Sequence, residues 1–527
     1  MDQDKMEEFN SNIIKWYPFE STKAVLQIGN NNIITKELKN ICQKIKVVGI
    51  PDLNEYEEEK YDYVIIYGYE RYSNIIEKVT KLLKEDGKLI IIGNNEFGIN
   101  NWSKYNDVLK LEEYSYKENT VKYIKQKLKE KEFENINTFF AFPNYQYAEI
   151  IVNESTYINN GCIEKYKANL EEDKVKIFNE NNILKNILLN DPKMIEFFAN
   201  SYFIEASKEK TELDVKMVSY NNCRKEEYRL ITIIEDKIVK KITDNPKAQI
   251  HIDEMSKIIK DIKNDGIETL DYVKDGIIYS SFYNGKTIDE VLNENYNNFE
   301  KIIGILDGLK AMLIKKSIKY EECKEKVNSF GFEIEKIKKL HFLKNAYWDM
   351  IAKNCFLIDE KYVFFDQEWK AEYLPVEFLI YRSIINSYDL VKKIDVNELL
   401  KKLVIFEYKE YFQVIDDKLR TKIIDKDIYI AMYEKNIKGI DNLINDKKIA
   451  EQYLKQEQED NRKKQTYINE LEEDSAKKQK YINELEEDST KKQKYIEALE
   501  VDRKNKEEYI KILEEKTKRR FFGKGKK

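Results

Sequence analysis

The 527-residue sequence predicts a multidomain α/β protein: a doubly wound unit first, a bilobal α+β unit in the middle, and one long helix at the end. Three observations predict this. The chain opens with a short apolar run, a glycine, a helical stretch and a second apolar run, which is a βαβ order. After about residue 182 the pattern changes to alternating strands followed by mostly helical sequence. Neither glycine nor proline occurs between Gly439 and Gly523, an interval that permits an uninterrupted helix. Charged residues make up 36% of the chain, against about 25% ordinarily, so part of it is expected to be solvated on all sides.

The composition also limits function. With 91 Lys+Arg against 97 Asp+Glu the chain carries −6, which argues against a nucleic-acid binder, because phosphate neutralisation needs excess cations. Only His251 and His341 are available for metal or triad chemistry. Cys42, Cys162, Cys223, Cys323 and Cys355 form no CxxC pair, as expected of reduced cytosolic thiols. No apolar run approaches the roughly 18 residues of a membrane span, and the acidic start is unlike a signal peptide. A cytoplasmic location is therefore expected.

In the first unit, residues 1–160, Ala24–Ile28 reads as a strand stopped by Gly29, Thr35–Cys42 as a helix and Ile45–Ile50 as the second strand. Tyr63–Tyr67 follows, then a helix around Asn74–Lys84. A turn at Asp86–Gly87 leads into Lys88–Gly93, an apolar run suited to a parallel sheet buried on both faces. Val121–Lys131 reads as a helix, and Asn137–Phe142 with Tyr147–Val152 as an antiparallel pair. The blocks Val25–Gly29, Tyr61–Ile65, Leu83–Leu89 and, most specifically, Asn94–Trp102 resemble class I SAM-dependent methyltransferases, those built into bacterial surface-polysaccharide enzymes. The resemblance implies a glycine-rich turn approached by the cofactor and an acid on its ribose. The corresponding positions are Gly29 and Asn30 in the turn, which holds one glycine, and Asp52, one place after the Pro51 that stands at the acid's position.

The middle unit, residues 182–440, begins with strands Tyr228–Glu235 and Lys237–Ile242, a helix over Pro246–Lys260 and a strand at Gly276–Phe282. Its chemistry is concentrated in Asp349, then Asn354 five residues later, a hairpin turning at Asp359–Lys361, and Asp366. Phosphotransferases hold a base and a magnesium site in this way. Asp349 would orient or deprotonate an acceptor hydroxyl, and Asn354 and Asp366 would hold Mg2+ against ATP. The segment is similar to the core of the aminoglycoside phosphotransferase and choline kinase group, down to Asp366-Gln367-Glu368-Trp369, and Tyr283–Ile288 resembles that group's hinge. Tyr347 stands where a histidine is usual, and residues 216–245 contain no glycine. The lysine on the ATP phosphates is expected at Lys240 or Lys241, with Glu254 as a helix partner.

Residues 447–516 repeat with a period of 14. Tyr467, Tyr481, Tyr495 and Tyr509 recur with Ile468, Ile482, Ile496 and Ile510 and with Leu471, Leu485, Leu499 and Leu513. Fourteen is two heptads, so each Ile/Leu pair falls on one stripe, as in a coiled coil. Acid-first pairs at i,i+4, such as Glu473/Lys477 and Glu487/Lys491, support the same helix. The stretch Lys516–Lys527 holds seven basic residues and no acid. Residues 517–527 close the chain as a basic aromatic tail suited to an anionic membrane surface.

The order of these parts resembles bacterial O-antigen chain-terminating methyltransferase/kinase proteins. The fold class implied is a Rossmann-like methyltransferase fold, an α+β kinase-like fold and a coiled coil. The function implied is a cytoplasmic transferase capping or regulating glycan chains on the inner face of the plasma membrane. Its cofactors would be SAM, ATP and Mg2+, and its partners a lipid-linked glycan, glycosyltransferases and further copies of itself. Two alternatives stand beside it: a non-enzymatic scaffold with degenerate domains organising glycosyltransferases, and a methyltransferase whose kinase-like domain is inert.

Overall fold

The computed structural model describes residues 7–29, 31–49, 59–72, 75–103, 119–156, 178, 180–210, 213–430, 432 and 440–522. Residues 1–437 form one compact unit and residues 438–527 a second.

The first unit is a mixed α/β structure built on a sheet that has twelve strands among the described residues. At its centre, β1 (Ala24–Ile28) lies between β2 (Lys44–Val48) and β3 (Tyr61–Tyr67), parallel to both, and β4 (Leu83–Asn94) continues parallel beside β3. Every residue of β3 is buried, because helices cover both faces and leave no side for alternation. Helix α1 (Asn32–Ile41) joins β1 to β2, with the Asn31 carbonyl oxygen Oδ1 accepting from the amides of Ile33 and Ile34 at 3.1 Å. The helix before β4 covers only Ile76–Thr80 and ends earlier than its sequence suggests, because Leu83 already pairs with Tyr61.

β5 (Asn135–Phe142), which follows α2 (Val121–Glu130), pairs antiparallel with β6 (Ile150–Asn153) as expected. Between β4 and β5 the sheet inserts β7 (Ser201–Ser207), antiparallel to both. The boundary expected between residues 160 and 182 therefore does not follow the sheet: β7 lies beyond it, yet sits at the middle of the first layer. A fully buried run containing Glu205 reads poorly as a strand. The fold accommodates that carboxylate with the Lys88 ammonium of β4, 3.4 Å away.

β6 then pairs with β8 (Val215–Tyr220), so the sheet passes without a break into the middle unit. There β8, β9 (Ile231–Glu235), β10 (Ile238–Ile242), β12 (Ile277–Ser281) and β11 (Asp271–Lys274) lie side by side, all antiparallel. Strand β9 begins later than Tyr228 because Glu226–Tyr228 forms a 3-10 turn. Helix α3 (Pro246–Asn264) packs Ile252, Met255 and Ile259 against Ile278 of this sheet.

The segment 282–287 leads out of the sheet to α4 (Ile288–Glu294), entered through a Thr287/Glu290 capping box. The part that follows is mostly helical. α5 (Phe299–Ile314), α6 (Val376–Ile385) and α7 (Lys409–Ile423) enclose Leu306, Leu309, Phe378, Leu379 and Phe412. Across this core run β13 (Ile318–Lys319), β14 (His341–Tyr347) and β17 (Lys370–Pro375), and beside them the hairpin of β15 (Cys355–Ile358) and β16 (Lys361–Phe364). Asp359 and Glu360 turn the hairpin at φ 48° and 62°.

The second unit holds α8 (Ile440–Phe522), 83 residues long and so about 125 Å at 1.5 Å per residue. It extends the expected 447–516 helix at both ends. Its Ile and Leu stripe is half exposed, from 43% at Leu513 to 53% at Ile510. Residues 523–527 of the basic tail lie outside the described residues.

Candidate active sites

Two places bring together the residue types that carry chemistry. The first lies at the carboxyl ends of β1 and β3. The chain leaves β1 for β2 on one side and returns to β3 on the other, which opens a crevice where α/β folds bind ligands. Gly29 closes β1 at φ 88° and Gly68 follows β3 at φ 74°, backbone conformations that glycine adopts without strain. The turn after β1 is locked from within. Gln27 Nε2 donates to the Gly29 carbonyl at 3.0 Å, and the Thr35 hydroxyl donates to Gln27 Oε1 at 2.9 Å.

The crevice is lined by this chain's own tyrosines. A Cβ on Gly29 would strike the Tyr72 hydroxyl. One on Gly93 would lie 2.8 Å from Glu70 Oε2 and 2.9 Å from the Tyr202 hydroxyl. Glu70 accepts from the Tyr145 hydroxyl at 2.9 Å and from the Asn94 amide at 3.1 Å. These glycines make room for protein side chains at the ends of the strands. Asn30 and Asp52 lie outside the described residues.

The Asn94–Trp102 block has a structural task. Asn95 Nδ2 donates to the carbonyls of Glu196, Phe197 and Ala199 at 3.1, 3.0 and 2.9 Å, and the Asn100 amide donates to Asn200 Oδ1 at 2.9 Å. The block clips the segment leading into β7 onto the end of β4.

The second place lies between the antiparallel strands and the helical part. Lys241 on β10 is buried and makes ion pairs with Asp366 and Glu368. Lys240, the next residue on the strand, points to the opposite face and pairs with Glu235. Of the two expected lysines, the fold places Lys241 at the cluster. Glu254 is exposed on α3; the residue of that helix facing the cluster is His251, whose Nε2 is 4.0 Å from Glu368 and whose ring stacks on Trp369 at 4.3 Å. Glu368, two residues after Asp366, thus holds the place expected of Glu254. Glu254 follows His251 by three residues on α3 but is exposed, whereas His251 is buried.

Asp349, Asn354 and the residues beside Asp366 are linked through the backbone. The Asp349 carbonyl accepts from Asn354 Nδ2 at 3.2 Å and from Gln367 Nε2 at 3.1 Å, and the Phe365 amide donates to the Asn354 carbonyl at 3.1 Å. Asp366 sits at φ 61°, with its amide on Asp271 Oδ1 at 3.3 Å. Asp271 also accepts from the Gln367 amide at 3.1 Å. Tyr347, where a histidine is usual, turns its hydroxyl back to Asp265 Oδ2 at 3.0 Å and anchors β14.

Burial pushes the Asp349 carboxyl up to about 6, partly opposed by the Arg382 guanidinium, whose Nη2 is 3.8 Å from Oδ1. Arg382 also pairs with Asp416 and lies over the Trp348 ring at 4.5 Å. Burial would raise Glu368, but Arg224 and Lys241 outweigh it and hold that carboxylate well below its ordinary range. For Lys241, burial works against the charge and the two carboxylates prevail, leaving the ammonium firmly protonated.

Arg224, Asp271, Arg382 and Asp416 escape a reading of motifs. A usable signal was the scarcity of arginine: only Arg224, Arg229, Arg382 and Arg420 occur between residues 80 and 430. Two of these, Arg224 and Arg382, make ion pairs to buried carboxylates, a role that suits a guanidinium better than an ammonium. Among the described residues no three His, Cys, Asp or Glu side chains group as a metal site by themselves. Asn354 and Asp366 offer the oxygen donors magnesium prefers, with the remaining positions left to phosphate and water.

No protein-family model and no curated protein sequence matches the chain. Among solved structures it is similar to a SAM-dependent methyltransferase from Archaeoglobus fulgidus, at 13% identity over 37% of this chain and 91% of that one, with a TM-score of 0.23. It is similar to Haemonchus contortus phosphoethanolamine N-methyltransferase 2, in complex with S-adenosyl-L-methionine, at 15% identity over 38% of this chain and 52% of that one, with a TM-score of 0.22. It is also similar to WbdD, at 9% identity over 77% of this chain and 87% of that one, with a TM-score of 0.21.

Proposed function

We propose that the chain is an ATP-dependent phosphotransferase acting on a sugar hydroxyl in surface-polysaccharide assembly. The observation that carries this reading is the meeting of Lys241, Asp349, Asn354 and Asp366, drawn from separate elements, at one place between a small sheet and a helical part. In the reaction the acceptor oxygen bonds to the γ-phosphorus, the bond from that phosphorus to the β–γ bridging oxygen breaks, and ADP leaves. The hydroxyl proton passes to Asp349. A carboxylate raised to about 6 is a stronger base than a solvated aspartate and is still ionised at neutral pH. Lys241 would neutralise phosphate charge, and Asn354 and Asp366 would hold a magnesium ion, which would supply further positive charge to the phosphates.

The glycan acceptor, the assembly of several copies through α8 and the contact of residues 516–527 with an anionic membrane belong to the same proposal. The half-exposed Ile/Leu stripe of α8 supports the assembly. Calorimetry on the full chain tests the centre of it. Mg-ATP is expected to bind, and Asp366→Ala to weaken that binding at least tenfold. If neither Mg-ATP nor SAM binds, the scaffold reading replaces this one; SAM binding alone would select a methyltransferase with an inert second site.

A further inference from the structure

Phosphotransferases commonly cover the nucleotide phosphates with a glycine-rich connection between two strands, whose backbone amides face the oxygens. Here the connection between β8 and β9, residues 221–230, contains no glycine. What it places at the cluster is a guanidinium. Arg224 Nη1 pairs with Glu368, the carboxylate it shares with Lys241, and the Arg224 guanidinium lies over the Trp369 ring, 5.3 Å from its centre.

The connection is held rigidly. The Lys225 amide donates to the Ile423 carbonyl at 2.8 Å, and the Asp425 amide donates to the Cys223 carbonyl at 2.9 Å, so the end of α7 straps the loop from outside. Arg229 Nε donates to the Arg224 carbonyl at 2.8 Å. Tyr228 packs edge-on against both His251 and Trp369. A backbone fixed at this many points cannot fold down over a ligand as a glycine loop does. The side chain can still act. Arg224 keeps 22% of its surface exposed, and among the described residues its Nε and Nη2 donate to no protein acceptor.

We infer that Arg224 binds the nucleotide phosphates, supplying from a side chain the donors that a glycine loop would supply from backbone. This rests on the phosphotransferase reading of the same cluster and adds to it a phosphate ligand that no motif marks. Glu368 holds the guanidinium beside Lys241, and the planar fork presents its remaining N–H groups to phosphate oxygens, a geometry that suits arginine better than lysine.

The test is titration of the full-length protein with Mg-ATP and, separately, with adenosine. Arg224→Ala should weaken Mg-ATP by about 10- to 100-fold, the range for a charge-assisted contact, and leave adenosine within about twofold. Arg224→Lys should recover only part of the loss. Mg-ATP binding unchanged in Arg224→Ala would overturn the inference and leave the residue a structural tie. Equal loss of adenosine and Mg-ATP would overturn it too, because the damage would then be to the loop. Failure of the unmodified protein to bind Mg-ATP would instead remove the phosphotransferase reading itself.

Discussion

Asp349 combines two demands that conflict. Its carboxyl is largely buried, and burial raises it to about 6, whereas an unfolded chain would hold it near 3.9. The neutral form is therefore the one the fold prefers. Its contribution to stability is complete below about pH 4 and is lost as pH rises toward 6 and above. Asp349→Asn should consequently melt at a higher temperature than the parent at pH 8, by on the order of 2 kcal/mol of stability, and the gap should close near pH 4. Phosphorylation should fall at least a hundredfold in the same variant, as expected for loss of a general base. A stability gain that stayed the same from pH 4 to pH 8 would show that the carboxylate is not disfavoured. Tyr72 offers a parallel test in the other crevice. If its hydroxyl is what fills the space beside Gly29, Tyr72→Ala should bind S-adenosylhomocysteine at least tenfold more tightly than the parent; equal affinity would clear Tyr72 of that role.

At the scale of elements, α8 owes its continuity to the absence of glycine and proline and to contacts within the helix. Lys478, Lys492 and Lys506, which fall on the stripe between the apolar pairs, each reach back four residues, to Asp474, Asp488 and Asp502 at 2.9, 3.0 and 2.7 Å. Charge on the stripe is thus satisfied along the helix, while the Ile and Leu side chains have no partner within it. Of the acid-first pairs read from the sequence, Glu487–Lys491 forms at 3.8 Å, and Asp474–Lys478 forms one residue beyond Glu473/Lys477. If α8 assembles copies of the chain as proposed, replacing Ile482 and Leu485 together by lysine should leave helix content almost unchanged and reduce the sedimenting species to a single chain. Identical masses before and after would remove the coiled-coil assignment.

For the molecule as a whole, the continuous sheet matters most. A fragment ending at residue 160 lacks β7, so β4 and β5 would expose the facing edges that β7 pairs over seven residues each. Cutting after β7 would expose β6, whose other edge pairs with β8. Unpaired edges of buried strands aggregate. Fragments 1–160 and 1–208 should therefore be insoluble or molten, and 1–437 should fold. The 1–437 fragment should unfold in one calorimetric transition and bind Mg-ATP within about twofold of the full chain. Two separate transitions would mean that the shared sheet does not couple its halves.

Much of this was legible locally. The order of β1, α1, β2, β3 and β4 follows from apolar runs and turn residues, the hairpin from Asp359-Glu360, and the long helix from its repeat and the missing breakers. The hairpin between Asn354 and Asp366 follows from the same local pattern. What could not be read locally depends on partners distant in sequence. Strand β7 buries Glu205 beside Lys88, which lies far away in sequence, and the choice between Lys240 and Lys241 depends on which face of β10 turns inward. The displacement of Glu254 by Glu368 and the presence of Arg224 require elements up to 144 residues apart to meet. Sequence by itself determined the elements that apolar runs, turns and repeats mark, and the spacing of the acidic residues, since both are set by near neighbours. Tertiary structure alone decided where one sheet ends, which cation faces the carboxylates and what fills the first crevice, because those outcomes depend on burial and charge pairing across the fold.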